Sequence, residues 1–306
     1  MTLLQWQDKF SDEEACRQYL FDQYWPEGFV CLKCQGTKYW TVQRSGRTAP
    51  VYECAACGHQ ASVPAGTIFE RTKVALRVWF LAIFLIAVDK GGKSALALSR
   101  ELGLPYVTTW LLHHKIQQAT AERNRRYKLG GLVELDDAYF GGVSQSPWHR
   151  PRMAQASVVG ERIKTRSSSA LASRAKAIRS MCFLEAVPNL KDPTVKKVLE
   201  RRVETNGVWL TDGAPVYVSA AQEHQAEHKV TLSTDPQAEA VFHWVNIVIS
   251  NAKAYIDGTF HGRGRARRQL YFGEFTYRFN RRYLGTGIAD RLIVACLASK
   301  RHPYAT

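Results

Sequence analysis

The rhythm of hydrophobic and polar positions changes several times along the chain, and each change predicts a different kind of element. Residues 1–25 carry apolar positions at Cys16, Tyr19 and Leu20 behind Ser11, Asp12 and Glu13, which predicts a short helical lead-in. From Pro26 to Ile68 there is no long periodic stretch, only short extended pieces punctuated by Gly, Pro and Cys. That texture suits a small module held together by something other than a hydrophobic core. Between Lys73 and Arg126 the spacing turns helical: VALRVWFLAIFLIAV, then SALALSREL after Gly91 and Gly92, then YVTTWLLHHKIQQATAERN after Gly103 and Pro105. The last two segments outline a helix-turn-helix. Past Gly130 and Gly131 the text alternates. LVELDDAYFGG, MCFLEAV, GVWLTDG and HKVTLS read as strands, and DPTVKKVLERRVE reads as a helix opened by Asp192 and Pro193. FHWVNIVISNAKAYI is a strongly periodic helix running up to Gly258, and further helices are expected near 269–282 and 289–300.

The order strand, strand, helix, strand predicts an α/β core. The expected organisation is a helical lead-in (1–25), a cysteine-bearing module (26–72), a helix-turn-helix-like helical domain (73–128), an α/β domain (129–285) and a C-terminal helix (286–306). Segment 150–180, rich in Arg, Lys, Ser and Ala, is not placed by its pattern beyond a short extended piece at Ser157–Gly160.

Charge sharpens this picture. Forty-two Lys and Arg against 27 Asp and Glu leave a net charge of +15, concentrated at Arg123–Lys128, Arg150–Arg179 and Arg263–Arg282. Clustered positive charge favours a polyanion through counterion release, with nucleic acid first. No lipidation motif or amphipathic anchor points to a membrane, and the longest apolar run, Val78–Val88, falls short of the roughly 20 residues a span needs. The N-terminus lacks the basic and apolar regions of a signal peptide, so a cytoplasmic protein is expected. In the helix-turn-helix segment, Ser94, Arg100, Tyr106, Thr108 and Thr109 are the expected exposed contacts for a DNA groove.

Of seven cysteines, Cys31, Cys34, Cys54 and Cys57 form two Cys-x-x-Cys pairs separated by 19 residues. Each pair can wrap one metal through a tight knuckle, and four thiolates close the coordination sphere, so a structural zinc is expected rather than a catalytic one. Lys33, Lys38, Arg44 and Arg47 surround this ribbon.

A second chemistry is carried by acids. In LVELDDAYF, alternation puts Val133, Leu135 and Asp137 on one face and Glu134 and Asp136 on the other, so Asp136 is expected to project away from the packed apolar face. Asp212 ends the apolar strand VWLTDG, where strand ends commonly open onto sites. Two carboxylates from neighbouring strands are what a magnesium site for phosphoryl transfer requires. For a third ligand, the helix 34 residues after Asp212 offers Asn246 or Asn251, flanked by Asp235, Glu239 and Asp257. No Gly-rich nucleotide loop is present, so no nucleotide cofactor is expected.

These stretches together resemble one family. CLKC with CAAC, GTIFERTKVALRVW, KSALALSRELGLPYVTTW, VELDDAYFGG, WLTDGAPVY, and WVNIVISNAKAYIDGTFHG followed by EFTYRFNRR stand in the order found in insertion-sequence transposases with an N-terminal zinc ribbon (the ISXO type). The resemblance implies an RNase H-like mixed-sheet catalytic core behind the ribbon and the helical domain. It also implies a DNA transposase that cuts element ends and joins the 3′ hydroxyl to target DNA. By the same resemblance Asp136, Asp212 and Asn246 bind magnesium or manganese, Asn246 being preferred to Asn251 by counting back from Lys253. His261, Arg265, Arg267, Arg281 and Arg282 are further candidate phosphate or end contacts beside Arg100 and Thr108, and the partners expected are double-stranded DNA and further copies of the chain assembled on it. The stretch from Ser146 to Ser180 departs from the family pattern, which usually leads into a recognisable strand here. A DNA-binding regulator that has lost catalysis, or has been domesticated, is the alternative reading.

Overall fold

A computed structural model describes residues 2–43, 50–140, 181–260 and 267–300, and the backbone of 154–162. They group into two compact units, one made of residues 1–89, 95–119 and 286–306, the other of residues 90–94 and 120–285.

In the first unit the lead-in is two helices rather than one. Helix α1 (Leu3–Lys9) begins with a reciprocal capping box between Thr2 and Gln5, and α2 (Glu13–Tyr24) with Asp12, whose Oδ1 accepts the Ala15 N–H at 2.8 Å. Strands β1 (Tyr39–Val42), β2 (Val51–Cys54) and β3 (Gln60–Ala61) form a small antiparallel sheet. Helix α3 (Leu76–Val88) contains the apolar run and is buried along most of its length, packing the Phe80 and Phe84 rings onto Phe10 and Trp6. Then come α4 (Ala95–Leu102) and α5 (Tyr106–Asn124), joined at Gly103, which turns the chain at φ +64°. Helix α5 starts in the first unit and its last residues belong to the second.

The second unit is a five-stranded sheet in the order β6-β5-β4-β7-β8. Strand β4 (Leu132–Phe140) is central, β5 (Ala154–Arg162) is antiparallel to both β4 and β6 (Cys182–Val187), and β7 (Val208–Thr211) and β8 (Glu227–Val230) run parallel to β4. Helix α6 (Asp192–Arg202) lies between β6 and β7, and α7 (Pro215–Glu223) between β7 and β8. After β8 come α8 (Ala238–Val241), α9 (His243–Phe260) and α10 (Arg268–Phe279), and α11 (Ile288–Leu297) returns to the first unit. This mixed order, with one antiparallel strand beside the central one, is the RNase H-like core that the motifs imply.

Strand β5 answers the departure noted after Ser146, because a strand is present there and pairs with β4 over nine residues, from Leu132↔Arg162 to Phe140↔Ala154. Helix α7 was not foreseen. The sequence pattern assigned no element to residues 215–223, where Val216, Tyr217 and Val218 have low helix propensity; the helix is set by Pro215 in its first turn and by Tyr217, Ala220 and Ala221 packing on the sheet.

Both faces of the sheet are covered. Val133, Leu135, Phe183 and Trp209 pack under α6 and α7, whereas Ala138, Phe140, Cys182 and Leu184 pack under α9 and α10. The expected division of β4 into a packed apolar face and a projecting polar one is therefore corrected: the Glu134–Asp136 face also lies under a helix, α9. The outer edge of β6 is closed by side chains of α10 and the residue after it. Gln269 bonds the Ala186 N–H and the Leu184 carbonyl, and Asn280 bonds the N–H and carbonyl of Cys182. These amides supply the partners that another strand would otherwise provide.

Candidate active site and zinc ribbon

The register of two parallel strands builds the acidic site. Val133 pairs with Trp209 and Glu134 with Leu210, and two residues further along the chain stand Asp136, within β4, and Asp212, one residue past the end of β7. Neighbouring strands lie about 4.8 Å apart. Asp136 belongs to the face covered by α9, whereas Asp212 follows the last residue of β7, Thr211, and is exposed. Their charges interact: burial, aided by the charges of Asp137 and Asp212, raises the Asp136 carboxyl to about 6, against the Asp137 N–H and the Lys253 ammonium. Burial and Asp212 raise Asp137 as well. The Asp137 N–H donates to Asp136 Oδ1 at 2.7 Å.

Asp212 is held by its own turn. Its Oδ1 accepts the Ala214 N–H at 3.0 Å, and the Gly213 N–H donates to Thr211 Oγ1 at 3.1 Å. Gly213 sits at φ +86°, and a Cβ there would lie 2.6 Å from Val230 Cγ1. Only glycine fits this turn without strain, which is the physical content of the Thr-Asp-Gly motif.

Asn246 is exposed on the first half of α9 beside an open cavity of about 260 Å³, shared with Glu239, His243, Ile247, Ser250 and Asn251. Seven residues is nearly two helical turns, so Asn246 and Lys253 lie within about 20° of one another around the axis. Lys253 is near enough to Asp136 to lower its pKa, while the cavity beside Asn246 is lined by neither Asp136 nor Asp212. Asn251 lies about 140° around from Asn246, and its amide donates to the Ile247 carbonyl of its own helix at 2.9 Å.

The cysteines converge separately, in the first unit. The four sulfurs lie within 4.8 Å of one another, with Cys31 and Cys57 at 3.7 Å and Cys34 and Cys54 at 3.5 Å. Metal–sulfur bonds of about 2.3 Å give a tetrahedron with edges of about 3.8 Å, so the set fits zinc. The two knuckles are built alike: Gln35 N–H bonds the Cys31 carbonyl and Gly58 N–H the Cys54 carbonyl, at φ +61° and +65°.

The ISXO2-like transposase domain matches residues 128–280, and a transposase zinc-ribbon domain matches residues 11–60. The chain belongs to the ISXO2-like transposase family. A protein described as uncharacterized, in transposable element ISH50 of Halobacterium salinarum, is 30% identical over 132 residues; the match covers 42% of each chain. The chain thus spans less than half the length of that relative. Among solved structures, a simian T-cell lymphotropic virus intasome in complex with PP2A regulatory subunit B56 gamma aligns over 49% of each chain, with a TM-score of 0.31 and 9% identity.

The remaining site residues of this transposase-family chain are placed unevenly. Arg100 is exposed on α4 and Thr108 half-buried on α5, but Thr109, expected to be exposed, is fully buried with its hydroxyl on the Pro105 carbonyl. Its position in the first turn of α5 turns it inward. Arg267 is exposed. Arg281 lies over the Tyr277 ring at 3.9 Å and donates to the Tyr277 carbonyl, and Arg282 lies over Phe279 at 4.3 Å and donates to its carbonyl. His261 and Arg265 fall outside the described residues, as do Arg44 and Arg47 of the ribbon. No helix among the described residues is long and apolar enough to cross a membrane. One residue carried no signal in sequence beyond its place in the motif: Glu134, whose carboxylate is completely buried.

Proposed function

We propose that this chain is a metal-dependent DNA transposase that cleaves the ends of its insertion element and joins the freed 3′ hydroxyl to target DNA. The observation that supports it best is the parallel pairing of β4 and β7, which leaves Asp136 and Asp212 near enough for their charges to interact, with Lys253 of α9 also near Asp136. Asp136, Asp212 and Asn246 would hold magnesium or manganese, which when bound neutralises charge on the oxygens of a phosphodiester under in-line attack. Asp136 must give up its proton to bind, and its raised pKa makes that ionisation the pH-sensitive step of site assembly. Lys253 sets a cation at the rim where a phosphate would lie. Because an amide brings no charge, the Asp-Asp-Asn set holds its second cation more weakly than three carboxylates would. The ribbon, closed by four thiolates, has no part in the chemistry and serves as an accessory DNA- or protein-binding knuckle. The working form is an oligomer of this chain on double-stranded DNA.

The test is a nicking and strand-joining assay on a duplex carrying the element's terminal repeat, with magnesium or manganese. Nicking that Asp136→Ala abolishes while end binding persists supports the proposal. End binding by the wild-type chain with no nicking in either metal would leave a DNA-binding regulator. Cleavage of branched DNA regardless of terminal sequence, without joining, would leave a structure-selective nuclease.

A further inference from the structure

Glu134 lies two residues before Asp136 on the same face of β4, and none of it is exposed to solvent. Its Oε2 accepts the backbone N–H of Val245 at 2.9 Å, across 111 residues of sequence. Val245 is the third residue of α9, and the next residue is Asn246.

The helix has a local need for this bond. The first N–H groups of a helix lack partners within it, and a side chain at the preceding position usually supplies an acceptor. Here that position is Phe242, which has none to offer, and the regular i to i−4 bonds begin only at Asn246, whose N–H donates to the Phe242 carbonyl at 3.0 Å. A carboxylate at a helix N-terminus also opposes the positive end of the helix dipole. The first turn of α9 is thus capped from the strand that carries the first aspartate. One hydrogen bond ties the height of Asn246 above the sheet to Asp136.

We infer that Glu134 is a positioning residue for the metal site: by capping α9 at Val245 it holds Asn246 in register with Asp136 and Asp212. The inference rests on the strand-cleavage reading above. It assigns Glu134 no contact with metal or DNA.

The experiment measures nicking of the terminal-repeat duplex as a function of magnesium concentration, using the full chain and the variants Glu134→Gln, Glu134→Asp and Asn246→Ala. Gln keeps an acceptor for the Val245 N–H, and Asp withdraws it by one methylene. Losing a residue that orients a metal ligand typically costs roughly 10- to 100-fold in metal affinity or activity. Glu134→Asp is therefore expected to raise the half-saturating magnesium concentration about 10-fold or more. Glu134→Gln should stay within about 3-fold of wild type, under half a logarithmic step in affinity. Combined with Asn246→Ala, Glu134→Asp should add little, because the two act through one ligand. If both Glu134 variants lower thermal stability but keep the wild-type magnesium profile, or if the double variant shows fully additive losses, Glu134 is only a structural cap and the inference falls. A wild-type chain that never nicks would instead overturn the cleavage reading on which it rests.

Discussion

Asp136→Asn is expected to make the metal-free protein more stable at pH 8 while abolishing metal-dependent cleavage. Burial, with the like charges of Asp137 and Asp212, lifts the Asp136 carboxyl from 3.8 to about 6 in the folded chain. Because the folded state holds this proton more tightly than the unfolded one, the ionised carboxylate destabilises the fold. The cost is complete above pH of about 6, shrinks as the pH falls, and disappears below the unfolded value of 3.8. The interval corresponds to about 3 kcal/mol as an upper bound, and partial access to water reduces it to about 1–3 kcal/mol. Asn is nearly isosteric, and its Oδ1 can still accept the Asp137 N–H that Asp136 accepts at 2.7 Å. At about 2–4 °C per kcal/mol for a domain of this size, the variant should melt several degrees above wild type in chelator at pH 8. The gap should narrow toward about pH 4 and close below the unfolded value of 3.8, where the wild-type carboxyl is protonated in both states. Magnesium at pH 8 should then raise the wild-type melting temperature and leave the variant nearly unmoved. Thermal melts over that pH range, with and without metal, decide the matter. A variant that melts at or below wild type at pH 8, or a gap independent of pH, would refute the argument from burial and like charge.

Three further outcomes are expected. Cys57→Ser should remove the one tightly bound zinc expected per chain, measured by mass spectrometry, and open the ribbon to proteolysis, because binding free energy of roughly 10–16 kcal/mol is what folds such modules. Gly213→Ala should lose most cleavage and destabilise by about 1–3 kcal/mol, since the new methyl meets Val230 at a backbone φ of +86°; denaturant melts and the nicking assay report both. Asn246→Asp should lower the magnesium concentration needed for half-maximal nicking by adding a charge to the site, whereas Asn251→Ala, whose amide is spent on its own helix, should leave the titration unchanged.

Some of this was legible because it depends on residues close together in the chain. The zinc knuckles need only two cysteines, two intervening residues and a backbone able to turn at Gln35 and Gly58. The Thr-Asp-Gly turn is similarly local, as are the α6 helix opened by Asp192 and Pro193 and the amphipathic α9. Local steric and capping preferences suffice to specify such elements. Helix α7 was missed because its β-branched and aromatic residues favour an extended chain in isolation, and burial of Tyr217 and its alanines outweighs that preference.

What tertiary structure decided is which distant residues share a face. Alternation in LVELDDAYF shows that Glu134 and Asp136 point the same way, but whether that way is solvent or a helix depends on α9, more than 100 residues later. The pairing of Glu134 with Leu210, which sets where the chain carrying Asp212 leaves the sheet relative to Asp136, is a matter of strand register. Register is set by the summed packing of Val133, Leu135 and Trp209 under α6 and α7, a property of the assembled core that no short window contains. The sequence alone thus determined which residue types are present for zinc and for a phosphodiester. Only the folded sheet brought two aspartates near enough for their charges to interact, raised the pKa of one by burying it under a helix, and capped that helix with a glutamate from the strand below.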